Sequence, residues 1–509
     1  MGRQSNESRR DFIKRLGCTL GAASAASLIP QLALMPRAAH ASEKNLTGYR
    51  ALVCIYLAGA NDSFNWLVPR DSEATGSRYD TYRATRGGVF SQTNTSGLAL
   101  GFNDLLPINP TGAPSAFGLH PAHTDFSVTS GGTTQNHPGL QSLFNQGKAA
   151  FVCNAGPLIQ PITLTEYNAG APRPAQLFSH NDQELQWHIG IGRSDSLSRF
   201  GWGGRVVKAA GVGPLANGLS PTLSVAGAAR FLNGEGILPY QVASGGVDLI
   251  DNYSATSATN FSASRRALLN DLLDDTSAHP FVRGYGDIAR RSLSVGENLA
   301  TLLDAPNGAG DVQALFPAGN TLAAQLEMVA RMIKISRASL GAQRQIYYVR
   351  YGSFDLHDGM FVSGSPAATT GHGTLLTALN QAVGAFWTAL GEIGARSEVT
   401  TFTMSDFGRT LTGNGSGSDH AWGGNLMVLG DAVRGNRLYG TYPQLRVNAN
   451  DNATRDYSFS RGQYIPTTSV DQVAATLARW MGVTDNATLN SIFPLLGNFS
   501  GNDLGFMNP

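Results

Sequence analysis

The chain has 509 residues, a formal net charge of +1 and only 14% charged residues. So charge-poor a composition gives no basic stripe for nucleic acid and no polybasic anchor for an anionic membrane. Sixty glycines beside 42% hydrophobic residues describe a loop-rich globular protein, long enough to bury a large core.

The N-terminus reads as an export signal. Ser8-Arg9-Arg10-Asp11-Phe12-Ile13-Lys14 resembles the twin-arginine consensus, and a weakly apolar run from Leu16 to Met35 follows. Ala39-His40-Ala41 then supplies a small-x-small cleavage pattern before Ser42. These features predict a signal peptide over 1–41, the twin-arginine translocase as export partner, and a periplasmic or secreted location. No later run reaches ~18 apolar residues, so no membrane span is expected after residue 42. Of the three cysteines, Cys18 lies in the signal. Cys54 and Cys153 sit in apolar strand-like runs; an oxidising compartment would permit a bridge if those strands were neighbours, and two buried thiols are the expected state.

Arg50 to Leu57 is almost continuously apolar, which predicts a strand buried on both faces of a parallel sheet. It ends in a glycine turn that delivers Asp62, either a metal or substrate ligand at the strand's carboxyl end or an Asx-turn or N-cap to the next segment. Between Arg70 and Pro138 periodicity is lost, and the stretch reads as long surface loops in which His120, His123 and His137 shape turns. A short helix at Leu140–Phe144 and a second buried strand at Ala149–Asn154 continue an α/β alternation. Ser179 is placed as the N-cap of a helix, with Asp182 three residues on. A hydroxyl there suits either a cap or a nucleophile beside an anion held at the positive helix end. From about 205 to 318 an α-rich insertion is predicted, with helices over Ser262–Leu273 and Asp287–Leu303.

Thr321 to Leu340 carries an amphipathic stripe, and Ile346–Arg350 reads as a strand. Just past that strand, Asp355, His357 and Asp358 lie within four residues, a donor set suited to Mg, Mn, Ca or Zn. A polar turn with a hydrogen-bonded histidine is the other reading. His372 is read as surface decoration before a helix over Leu375–Ile393. The strand Val399–Met404 opens into Asp406 and Arg409, and a Gly/Ser/Asn loop then delivers Asp419 and His420. Ligands of open α/β sheets collect at such strand ends. Asn425–Leu429 makes a further strand, and Val470–Met481 a helix capped by Ser469.

LAGANDSFN at Leu57–Asn65, SHNDQ at Ser179–Gln183, FDLHD at Phe354–Asp358, SDFGRT at Ser405–Thr410, DHAWGG at Asp419–Gly424 and YIPTTSVDQVAATLARWMGV at Tyr464–Val483 follow the twin-arginine leader. Together they resemble the exported bacterial family called domain of unknown function 1501, placed with the alkaline phosphatase-like and sulfatase superfamily. The resemblance implies a doubly wound, mostly parallel α/β sheet with long loops, forming one domain over 42–509, and a divalent metal at the strand ends. It implies metal ligation by Asp62, Asp355, His357, Asp406 and His420, with Ser179 as nucleophile.

The chain departs from that pattern in three places. Phe407 stands where two-metal members carry a histidine, and the Asp355-to-His357 spacing is two residues where four is usual. No Cys-x-Pro-x-Arg motif occurs, which argues against formylglycine chemistry. The expected function is an exported metal-dependent hydrolase of phosphate or sulfate esters, with Arg409 clamping the anionic group. The alternative is a non-catalytic periplasmic binding or assembly protein that keeps the fold.

Overall fold

Ala51 to Leu57 are buried without exception, and this run forms β1 (Arg50–Leu57) at the middle of a nine-stranded sheet. The other strands are β2 (Ala149–Gly156), β3 (Thr222–Ser224), β4 (Tyr240–Gln241), β5 (Arg344–Tyr351), β6 (Val399–Ser405), β7 (Gly424–Leu429), β8 (Leu438–Gly440) and β9 (Thr468–Ser469). Their order across the sheet is β8-β2-β7-β6-β1-β5-β3-β4, with β9 also paired to β2. All neighbouring pairs are parallel except the two made by β7, which runs antiparallel to β6 and to β2. The computed structural model describes residues 46–190, 199–215, 217–249, 260–273, 279–304 and 310–508. The expected signal over 1–41 lies outside them. Among the described residues no helix is long and apolar enough to cross a membrane.

Helices cover both faces. α1 (His180–Ile189), α2 (Trp202–Ala209) and α7 (Val470–Trp480) bury Trp187, Trp202, Val206, Val473 and Leu477 against Leu52, Cys54 and Tyr56 of β1. On the other face α5 (Thr321–Ala338) packs on β5 and against α6 (Gly371–Glu392). α7 starts with a complete capping box, since Ser469 and Gln472 satisfy each other's backbone N–H groups. Residues 247–301 cluster as a separate compact unit holding α3 (Asn260–Leu273) and most of α4 (Pro280–Asp304). Within it Arg266 pairs bidentately with Glu297 at 2.6 and 3.0 Å.

Cys54 and Cys153 are free and buried. Their strands, β1 and β2, are separated by β6 and β7, which puts the backbones ~14 Å apart at ~4.8 Å per strand. A disulfide needs roughly 4.4–6.8 Å between Cα atoms.

Two expectations fail. The stretch 70–138 is not surface loop throughout, although most of it lies outside helices and strands: Leu98, Leu100, Leu105, Ile108, Phe117 and Leu119 are core residues, and a three-stranded sheet joins Leu67–Pro69, Phe117–Leu119 and Leu106–Ile108. Strands of three residues are too short to display an alternation. His120, His123 and His137 are buried, and so is His372, read earlier as surface decoration, whose Nε2 lies 2.8 Å from Asn61 Oδ1. His372 stands on the inward face of the first turn of α6, where sequence position suggested solvent.

Candidate metal centre

β5, β1 and β6 lie side by side in register, with Leu57 opposite both Tyr351 and Ser405. Their carboxyl ends therefore release three loops at one place, which is where open parallel sheets assemble sites. Gly59 locks the first loop onto the second. Its φ is +102°, and a Cβ there would lie 2.5 Å from the backbone nitrogen of Asp355. The third loop turns at Gly408 into an antiparallel ribbon, Arg409–Gly413 with Ser418–His420, in which Arg409 faces His420. α1 brings His180 from the side, as its first residue.

Four side chains meet there. His180 Nε2 lies 3.1 Å from His420 Nε2 and 3.4 Å from Asp355 Oδ2. His420 Nε2 is 3.3 Å from Asp355 Oδ1. His357 Nε2 lies 2.9 Å from His420 Nε2 and 3.1 Å from Asp355 Oδ1. The outer nitrogen of each ring is tied to a group that can only accept: His180 Nδ1 to Asp406 Oδ2 at 2.5 Å, His357 Nδ1 to Asp419 Oδ1 at 2.8 Å, and His420 Nδ1 to the Phe178 carbonyl at 2.7 Å. Each Nδ1 therefore carries a proton, and in the neutral form of the rings the three Nε2 lone pairs point at one another beside a carboxylate.

Lone pairs so arranged repel unless they share a cation. Tetrahedral ligands at ~2.0–2.1 Å from one ion stand about 3.3–3.4 Å apart, close to the spacings found here. His180, Asp355 and His420 present ligand atoms that all lie within 4.8 Å of one another. The residues thus fit a divalent ion. Their imidazole-rich chemistry suits zinc or another first-row transition ion better than magnesium or calcium, which take oxygen ligands.

A second set of groups holds this one. Asp406 is buried, and besides His180 it accepts from the Tyr56 hydroxyl and from Gly59 N at 2.9 Å. That bond from His180 raises the pKa of the ring. Burial pulls the other way at His420 and lowers it. Burial raises the Asp355 carboxyl, but the Arg409 hydrogen bond and charge outweigh it and hold it below the usual carboxylate range. Burial likewise raises Asp419, while Asn414, His357 and Arg461 together bring it down to about 2.

Of the expected site residues, Asp355, His357, Asp406 and His420 converge, with Asp406 supporting His180 from behind. Asp62 is elsewhere: its buried carboxylate is held by Arg86 through bonds of 2.8 and 2.5 Å. Arg409 does not face outward as a clamp. It is fully buried and donates to Asp355 at 2.8 Å, to Gly59 O at 3.2 Å and to Ser418. Ser179 is the N-cap residue of α1, yet its hydroxyl makes no cap bond and donates instead to Asp182 at 2.6 Å. His180 was missed, although it stands inside the SHNDQ motif. The only signal was an imidazole at the first position of a helix whose cap drew the attention.

Fold and donor set together define a mostly parallel α/β protein with an imidazole-rich centre at its strand ends. Residues 285–493 match the family model described as "Protein of unknown function (DUF1501)", which bears out the family resemblance; the leader and the motifs before residue 285 lie outside the match. No curated protein matches the chain. Similar solved structures include Ps i-CgsB in complex with k-i-k-neocarrahexaose, at 11% identity over 70% of each chain with a TM-score of 0.31. A mutant of the alkaline phosphatase PafA shares 8% identity over 72% of this chain and 64% of that one, with a TM-score of 0.26. The PsFucS1 sulfatase from Pseudoalteromonas sp. shares 11% over 71% and 66%, with a TM-score of 0.29. Scores this low say nothing about chemistry.

Proposed function

We propose that the chain is a metal-dependent hydrolase of phosphate or sulfate esters, working with one transition ion held by His180, Asp355 and His420, with His357 at its open edge. The observation that carries this reading is the convergence of three imidazole nitrogens and a carboxylate, each ring fixed from behind. When bound, a divalent ion of this kind supplies Lewis acidity and lowers the pKa of a neighbouring hydroxyl or water. Ser179, next to His180 in the chain, offers that hydroxyl, and Asp182 accepts its proton's hydrogen bond. The free N–H groups of the first turn of α1 favour an anionic ester beside them. Arg409 holds Asp355 in place, and Asp406 fixes the tautomer of His180.

One observation favours the second reading, a binding protein without turnover. Among the described residues, three guanidinium groups are already engaged by carboxylates: Arg409 with Asp355, Arg461 with Asp419, and Arg350 with Glu184. None of these three stands ready to grip an ester's charge.

The first test is elemental analysis of the purified chain beside a His180→Ala/His420→Ala variant. About one transition ion per chain, lost in the variant, is the expected result; none in either protein removes the metal reading. A panel of phosphate and sulfate esters then separates the two functions. Ser179→Ala is expected to lower turnover at least ~100-fold if its hydroxyl is the nucleophile.

A further inference from the structure

We infer that Phe178 is a positioning residue for the metal centre: its left-handed backbone, clamped by Gln183 and Gln186, aims the carbonyl that fixes His420. The inference rests on the metal-centre reading above. Phe178 has φ +72°, and Gln176, two residues earlier, has φ +51°. Bulky L residues avoid this region, and such conformations persist only where surrounding structure imposes them. Phe178 is the one aromatic residue among the described non-glycine positions with positive φ.

The imposing structure is α1 itself. Gln186 Nε2 donates to the carbonyl of Ala175 at 3.0 Å, and Gln183 Nε2 donates to the carbonyls of Ala175 and Gln176 at 3.3 Å each. Both glutamines are buried, so these bonds face no competition from water. The backbone N–H of Ser179 closes the turn onto Gln176 O at 3.1 Å. Within this clamp the Phe178 carbonyl meets His420 Nδ1 at 2.7 Å, and His180 follows two residues later. The turn thus sets two ligands at once, one through a hydrogen bond and one through chain direction. A residue driven to negative φ cannot keep both the entry path of the chain and that carbonyl's direction. The Phe178 ring itself packs against the apolar cluster that contains Leu158, Ile162, Trp422 and Ile465.

The test compares Phe178→Gly with Phe178→Val. Both lose the ring; only glycine is at ease with the turn's φ, and valine tolerates it least. Zinc affinity, measured by chelator competition, should stay within about twofold of the parent for the glycine variant. It should fall about 10–100-fold for the valine variant, the usual cost of losing an outer partner of a ligating histidine. Gln183→Leu, which leaves residue 178 untouched, should weaken zinc in the same direction. Phe178→Ala should fall between glycine and valine, and it replaces valine if that variant does not fold. A second readout needs no metal: the 15N shifts of His420 in the metal-free protein should report the Nδ1–H tautomer in the parent and the glycine variant, but not in the valine one. Equal affinities and equal tautomers in the glycine and valine variants, with Gln183→Leu unchanged, would overturn the role of Phe178. Absence of zinc binding in the parent, with the tautomer difference intact, would instead count against the metal reading and leave the aimed carbonyl standing.

Discussion

Asp62 and Asp355 are both carboxylates at the ends of central parallel strands, yet they have opposite fates. Asp355 is 42% exposed among three histidines, whereas Asp62 is 1% exposed and saturated by Arg86. Burial alone would raise the Asp62 carboxyl, and the charge and hydrogen bonds of Arg86 bring it below the usual range. Arg86→Met should therefore cost about 3–5 kcal/mol, because it strands a buried charge. Pairing it with Asp62→Leu should recover much of that loss while leaving metal content at one ion. Urea melts and elemental analysis of the two variants check both parts, and a lost ion in the double variant would return Asp62 to the centre. The carboxylate behind His180 should behave differently. Asp406→Asn keeps the shape but weakens the grip on His180 Nδ1, and metal affinity is expected to drop about 10–100-fold with modest loss of stability.

At the scale of elements, the long ones were legible. β1, β2, β5, β6, α5 and α6 announced themselves by continuous apolar runs or a 3.6-residue stripe, and their ends fell within a few residues of expectation. What those patterns could not carry was the partner of each loop. Asp62 and Asp406 look alike in sequence, and only the approach of Arg86 to one and of His180 to the other tells them apart. His180 stayed hidden because helix starts are read for caps, and here the cap residue turns its hydroxyl away. The core residues between Leu98 and Leu119 escaped because the strands there have three residues each. Loop-to-loop fit also argues a prediction. Gly59→Ala adds a Cβ 2.5 Å from Asp355 N at a φ of +102°, whereas Gly48→Ala at φ +67° meets nothing within 4 Å. The first should cost about 2–4 kcal/mol, summing backbone strain and overpacking, and the second about 1. Thermal melts compare them, and only the first is expected to weaken metal binding as well.

Over the whole molecule, buried histidines set the response to acid. Burial lowers His123 and His188 to about 3 and His372 to about 4, and it holds His120 well below its ordinary value. Released into water, each would titrate near ~6.5. Between those values the unfolded chain binds more protons than the folded one, so stability rises with pH through this window. The contribution is complete above ~6.5 and drains away as pH falls, by about 1.4 kcal/mol per group for each pH unit. The melting temperature should thus fall between pH 6.5 and 5, before carboxylates titrate. His188→Phe, placed among Tyr56, Phe231 and Tyr348, should flatten that slope. An unchanged slope would show that His188 does not contribute.

The two thiols in β1 and β2 lie too far apart to join, and each is sealed in the sheet. Folding of the described domain therefore needs no oxidant, and neither a reducing nor an oxidising compartment should alter it. Refolding yield should be the same with and without dithiothreitol, because no native cross-link between these two thiols waits to form.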